Sequence, residues 1–287
     1  MNYAILTDAA CDLDPGMSNE AGFAVVPMEF IQGSETCSHT PFADTQLLKE
    51  FYNRQRDGIL SKTSQIAAFQ YETVMRSWLD RNYSVLYLAL SGGLSSTYQT
   101  ARLTGEKLQS QYPGLFVSVI DTKAATGGMG ILAERAVRNR ENGMSILENT
   151  ADIQIAVQHI RHWFLVSDLM YLQRGGRISM AAASVGTLFH VHPILTIDTD
   201  GKLKIIGKAR GKHKAVRELT ERYDRYSTEE TSDPVYVVDA DAPDIGEMIQ
   251  DKLLKNHSNL TIRRCTLSPI IGTHTGPGMA AIIHIGK

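Results

Sequence analysis

The run Val85-Leu86-Tyr87-Leu88-Ala89-Leu90 is apolar at every position. A strand with one wet face would alternate polar and apolar residues, so this segment predicts a strand covered on both sides, as in a parallel sheet between helices. Its surroundings agree. Residues 3–7, 23–30 and 116–121 read as further strands, and helical patterns occupy 45–55, 67–81, 97–111 and 129–141. Asp44 and Ser64 are placed to cap the first two of these helices, and Pro27 marks its strand as an edge or a bulge. Strands separated by helices of this length predict βαβ units and a mostly parallel sheet.

After a helix over 145–161 the pattern changes. Strands are predicted at 163–167 and 193–197. Asp200-Gly201 then stands between Leu195-Thr196-Ile197 and Leu203-Lys204-Ile205, a strong hairpin signal. A helix over 212–225, a strand over 235–239, a helix over 245–254 and strands over 260–266 and 279–285 follow. The expected fold is therefore α/β in two domains. Residues 1–160 form an N-terminal, mostly parallel α/β domain, and residues 161–287 a C-terminal mixed or antiparallel sheet with helices.

Bulk properties exclude several classes. A formal charge of −2 over 287 residues lacks the basic excess of a nucleic-acid binder. No apolar run approaches the ~18 residues of a membrane span. Asp8 and Asp12 interrupt the N-terminal apolar stretch before a signal peptide could form, so a cytoplasmic protein is expected. The three cysteines, Cys11, Cys37 and Cys265, are scattered and odd in number, which gives neither a disulfide framework nor a CxxC pair. His190 and His192 are a weak metal signal, and no metal site is expected.

Five segments stand out chemically. Ser91-Gly92-Gly93-Leu94-Ser95-Ser96-Thr97 leaves the buried strand and enters a helix. That is the sheet edge where α/β folds bind ligands, and its hydroxyls lie beside free helix N–H groups that suit an anion. A plain capped turn explains it as well. Lys62-Thr63-Ser64-Gln65 precedes the next helix start and is most simply a cap. Gly272-Thr273-His274-Thr275-Gly276-Pro277-Gly278 fixes an unusual backbone path around a histidine able to donate to a carboxylate. Arg174-Gly175-Gly176-Arg177 suits carboxylate or phosphate binding and is equally consistent with a glycine helix cap. Lys208-Ala209-Arg210-Gly211 is a basic cluster before a helix, either solvated or a docking site.

Together these motifs, with Ile5-Leu6-Thr7-Asp8, Leu94-Ser95-Ser96-Thr97-Tyr98-Gln99, Asp168-Leu169, Tyr171-Leu172 and Pro193-Ile194-Leu195, resemble the DegV family, whose characterised members are bacterial fatty-acid-binding proteins of the FakB type. The resemblance spans about residues 3–286. It implies a two-domain carrier, not an enzyme and without catalytic residues or cofactor, that binds a long-chain fatty acid such as palmitate, stearate or oleate. Thr63, Ser95 and His274 would hold its carboxylate. Arg210 would contribute to docking a FakA-like fatty acid kinase, whose acyl phosphate product passes to an acyltransferase of phospholipid synthesis, with transient contact at the membrane surface. The sequence departs from the family pattern at Ile66-Ala67, Ser96, Thr122 and His192, positions that bear on chain preference more than on binding. The alternative is a serine-dependent hydrolase or acyltransferase pairing Ser95 with His274, although the segment lacks G-x-S-x-G and no acid is singled out to orient the histidine.

Overall fold

The computed structural model describes residues 2–13, 17, 22–40, 45–183, 191–228 and 232–287. The chain runs β1 (Tyr3–Asp8), β2 (Phe23–Val26), β3 (Met28–Gln32), β4 (Glu35–His39), α1 (Thr45–Arg56), β5 (Ser61–Thr63), α2 (Ala68–Leu79), β6 (Ser84–Ala89), α3 (Thr97–Gln109), β7 (Val117–Asp121), α4 (Gly127–Glu141) and α5 (Ile146–His159). It continues with β8 (Ile160–Leu165), α6 (Met170–Arg174), α7 (Met180–Ala183), β9 (Val191–Ile197), β10 (Leu203–Arg210), α8 (Lys212–Tyr226), β11 (Val235–Asp239), α9 (Pro243–Asn256), β12 (Ile262–Thr266), α10 (Pro269–Thr275) and β13 (Ala280–Ile285).

The apolar run at 85–90 lies where its composition demands. Strands β1 and β6 are buried at every residue and form the centre of a four-stranded parallel sheet ordered β2-β1-β6-β7. A six-stranded sheet, β10-β9-β8-β13-β11-β12, holds the later strands, antiparallel except where β11 meets β12. Its two faces follow the period of two along β8 and β13. Trp163, Leu165, Ala280 and Ile282 pack with Leu219 of α8 and Ile249 of α9. Phe164, Ala281 and Ile283 turn the other way and join the cluster that contains Leu86 and Leu88 of the parallel sheet. One apolar core thus spans the two sheets.

Several local expectations change. The strand predicted over 23–30 is two strands, because Pro27 has no N–H to continue a ladder. Beyond it, β3 leaves the parallel sheet for a small antiparallel one, β4-β3-β5, in which Phe30 pairs with Thr63. This third sheet escaped the sequence reading, since β5 is only three residues long and polar. Ser64 does not cap α2: the N-cap is Ala67, with Gln70 returning to the Ala67 N–H at 2.9 Å. Asp44 lies outside the described residues. The segment around His274, read as a loop, contains the short helix α10.

Candidate functional site

Three elements deliver the predicted residues to one place. Thr63 ends β5 and is held by its pairing to Phe30. Ser95 follows β6 in the turn that starts α3, where its backbone N–H donates to Ser91 O at 3.1 Å. His274 sits in the last turn of α10. That helix is pinned from both sides: the Ser268 N–H donates to Asp12 Oδ1 at 2.9 Å, and Gln55 Nε2 donates to Gly272 O at 3.1 Å.

All three residues line one cavity of about 300 Å³. Thr63 Oγ1 and His274 Nε2 are hydrogen-bonded at 2.9 Å across 211 residues of sequence. Ser95 Oγ is 2.7 Å from Thr97 Oγ1 and accepts from the Thr97 N–H at 3.2 Å, so it braces the first turn of α3 while facing the cavity. Apolar walls continue inward through Leu90, Phe164, Ile270, Met279 and Ile283. The cavity is therefore amphipathic, with hydroxyls and an imidazole at one side and hydrocarbon beyond.

Burial, with a lesser contribution from the Arg177 charge, pulls the His274 pKa down to about 4. The ring is neutral at pH 7 and carries a single N–H. Its Nδ1 is buried without a hydrogen-bond partner. A nucleophile–base pair would place His274 on Ser95, but Nε2 is taken by Thr63, and no carboxylate orients the other nitrogen. Among the described residues the triad logic of a serine hydrolase is thus not assembled.

The glycines have definite tasks. A Cβ on Gly175 would stand 2.2 Å from His274 Nδ1, so only glycine lets the imidazole lie on the turn after α6. Gly93 admits a close approach of protein. A Cβ there would meet Gly201 O at 2.5 Å, at the tip of the β9–β10 hairpin, which Ser91 Oγ also grips through Gly201 O at 2.7 Å. The hairpin predicted from Asp200-Gly201 thus packs against the loop that carries Ser95.

Arg177 is the site residue missing from the predicted carboxylate set. Its Nε donates to Leu94 O at 3.0 Å and its Nη1 to Gly175 O, tying the Ser95 loop to the turn beneath His274 while lining the cavity. Burial lowers its pKa. The paired glycines and arginines were visible in the sequence; their neighbours in space were not. Behind the Thr63–His274 pair lies a polar recess of about 270 Å³, to which Lys62, Arg174, Arg177 and Thr273 contribute. Arg210 is not gathered with these groups. It is exposed at the end of β10, seven residues beyond the cavity-lining Leu203, roughly 23 Å along an extended strand. Of the departures noted above, Ile66 is buried in the core, Ser96 lines the cavity, and Thr122 Oγ1 donates to Ala89 O at 2.7 Å.

The profile of the family described as uncharacterised DegV proteins matches residues 2–287. The chain belongs to the DegV family. Among similar DegV-family relatives is the DegV domain-containing protein YteA of Lactococcus lactis, 34% identical and aligned over 100% of this chain and 99% of its own. A solved structure described as the fatty acid binding of a DegV family protein from Thermus thermophilus is 28% identical, covers 100% of both chains and superposes with a TM-score of 0.86. The fatty acid binding DegV protein SAG1342 of Streptococcus agalactiae is 25% identical over 100% of this chain and 99% of its own, with a TM-score of 0.84. Among the described residues of this DegV chain, no helix is long and apolar enough to cross a membrane.

Proposed function

We propose that this protein binds one long-chain fatty acid in this cavity, with the carboxylate at Thr63, Ser95 and His274. The observation that carries the reading is the direct Thr63–His274 hydrogen bond in a cavity that is also walled by Leu90, Phe164, Ile270, Met279 and Ile283. About fifteen buried methylenes at ~0.8 kcal/mol each contribute roughly 12 kcal/mol. Association costs ~4–15 kcal/mol, so burial alone leaves little margin. The carboxylate must therefore retain hydrogen bonds when it leaves water, because an unpartnered one costs several kcal/mol or takes up a proton. The Ser95 hydroxyl and the hydrogen-bonded Thr63–His274 pair offer these bonds, and Arg177 provides the nearby positive charge.

Presentation of the carboxyl group to a partner fatty acid kinase, followed by transfer of the acyl phosphate to an acyltransferase at the membrane surface, is the finer form of the proposal. The polar recess with Lys62, Arg174 and Arg177 behind the Thr63–His274 pair supports it, since a phosphoryl group arriving there would meet cations. Arg210, exposed on β10, is assigned to the kinase-facing surface on the same reading. The division into domains near residue 160 is likewise a proposal, supported by the strands of the parallel sheet all preceding residue 122 and those of the six-stranded sheet all following residue 159.

The test is titration of delipidated protein with oleate and palmitate. Wild type should bind one equivalent, and Thr63→Ala and His274→Ala should each weaken binding by about tenfold or more. Unchanged affinity in both folded variants would remove the carboxylate assignment.

A further inference from the structure

The six-stranded sheet has a break at the acyl cavity. Strand β8 pairs with β13 along all six of its residues, from Ile160↔Ile285 to Leu165↔Ala280. On its other edge it pairs with β9 only at Phe164↔Leu195 and Leu165↔Ile194, so its first four residues have no β9 partner. Continued pairing would set Trp163 against Thr196 and His162 against Ile197. Those pairs are not formed.

Voids flank the break. On one side His162, Phe164 and Ile197 line the acyl cavity. On the other, Arg161, Trp163, Thr196 and Asp198 line a cleft of about 960 Å³, and Ile197 lines this cleft as well. The cleft walls include Val157 of α5, Ile206 of β10 and the mutually tilted rings of Trp163 and Tyr226, whose centroids are 5.1 Å apart. Arg161, Lys204 and Arg222 contribute cationic groups. His162 is fully enclosed, and burial drives its pKa down to about 3, so the group at the break is a neutral ring compatible with hydrocarbon.

We propose that the acyl cavity continues through this break. The methyl end of a long chain passes between His162 and Ile197 into the cleft, making Ile197 the residue that sets the accepted chain length. The inference rests on the fatty-acid reading above and adds the ligand class: acids whose tails outrun the inner cavity. Each further methylene that leaves water against Val157, Ile206 and Trp163 then strengthens binding by up to about fourfold.

The experiment measures dissociation constants of the delipidated full chain for saturated acids from laurate to behenate. In wild type, affinity should keep rising beyond palmitate. Ile206→Trp, which fills the cleft from β10, and Val157→Trp, which fills it from α5, neither touching the inner cavity, should retain laurate binding. Both should lose about tenfold or more on arachidate. Ile197→Ala should move the optimum to longer acids. Circular dichroism and melting temperature confirm folding, and having two plugs on different elements guards against a local defect. Variants that bind laurate and reproduce the wild-type length dependence would overturn the proposal and leave the carrier reading intact. Failure of wild type to bind any acid in the series would overturn both.

Discussion

Gly175→Ala isolates the positioning of His274. Gly175 has φ −73° and ψ −8°, helical values that alanine adopts without strain, so the substitution acts only through its methyl group. That methyl would stand 2.2 Å from His274 Nδ1 and 3.1 Å from Cε1, and the imidazole must retreat by roughly 1.2 Å to reach ordinary 3.4 Å contact. Motion along the ring drives Nε2 into the Thr63 hydroxyl, now 2.9 Å away; a swing aside breaks that bond. Either way the Thr63–His274 pair assigned to the carboxylate is disturbed. A hydrogen bond to a charged group contributes ~1.5–3 kcal/mol, which translates to binding weaker by about 10- to 150-fold. The assay is calorimetric titration of oleate into delipidated Gly175→Ala, His274→Ala and the double variant. With His274 absent the methyl has nothing to displace, so Gly175→Ala should then change binding by less than ~0.5 kcal/mol. Wild-type affinity in the single variant, or the same loss in both backgrounds, would refute the argument.

Further expectations concern charge and burial. Burial raises Asp12 to about 7, whereas it lowers His39, His162, His274 and His284 to about 4, 3, 4 and 4. The histidine contribution to stability is present above the unfolded value of ~6.5 and is lost as pH falls toward the folded values, while Asp12, protonated in the fold, opposes that loss between pH ~7 and ~4. The melting temperature should therefore drop on acidification from pH 6.5 to 5, and drop more steeply in Asp12→Asn, as read by calorimetry across pH. Arg177→Lys removes the forked contact to Leu94 O and Gly175 O and should cost about 1–3 kcal/mol in urea unfolding, with weaker oleate binding. Asp233, with a side chain only 1% exposed, bridges Arg135 and Arg138 of α4. Asp233→Ala leaves Arg138 without this carboxylate while Arg135 keeps Asp152, and should destabilise the fold by ~1–3 kcal/mol in the same assay.

Much of this architecture is legible in the chain because local signals and burial agree. The 85–90 run, the Asp200-Gly201 turn and the amphipathic helix α8 each specify their element alone. What is hidden depends on partners far away in sequence. Strand β5 has three polar residues and exists because β3 offers it an edge. Helix α10 begins at Pro269 among residues that read as a loop, and is fixed by Asp12, Gln55 and Tyr52 from the other end of the chain, with Tyr52 Oη donating to Leu267 O at 2.8 Å. At the site, the glycine-flanked histidine and the hydroxyls were identifiable, and the structure brings Thr63, Ser95 and His274 to one cavity. The meaning of Gly93 and the bridging position of Arg177 required the hairpin tip and the α6 turn to be placed in space. Chain length depends on where the β8–β9 ladder stops, which no local pattern encodes.

The central claim is most directly tested by the lipid the protein carries when purified. Native mass spectrometry of the full chain, followed by solvent extraction and identification of the released molecule, should show one long-chain fatty acid per chain, absent from a folded Thr63→Ala/Ser95→Ala double variant. A protein that emerges empty and takes up no added fatty acid would contradict the account, while its fold and DegV membership would stand.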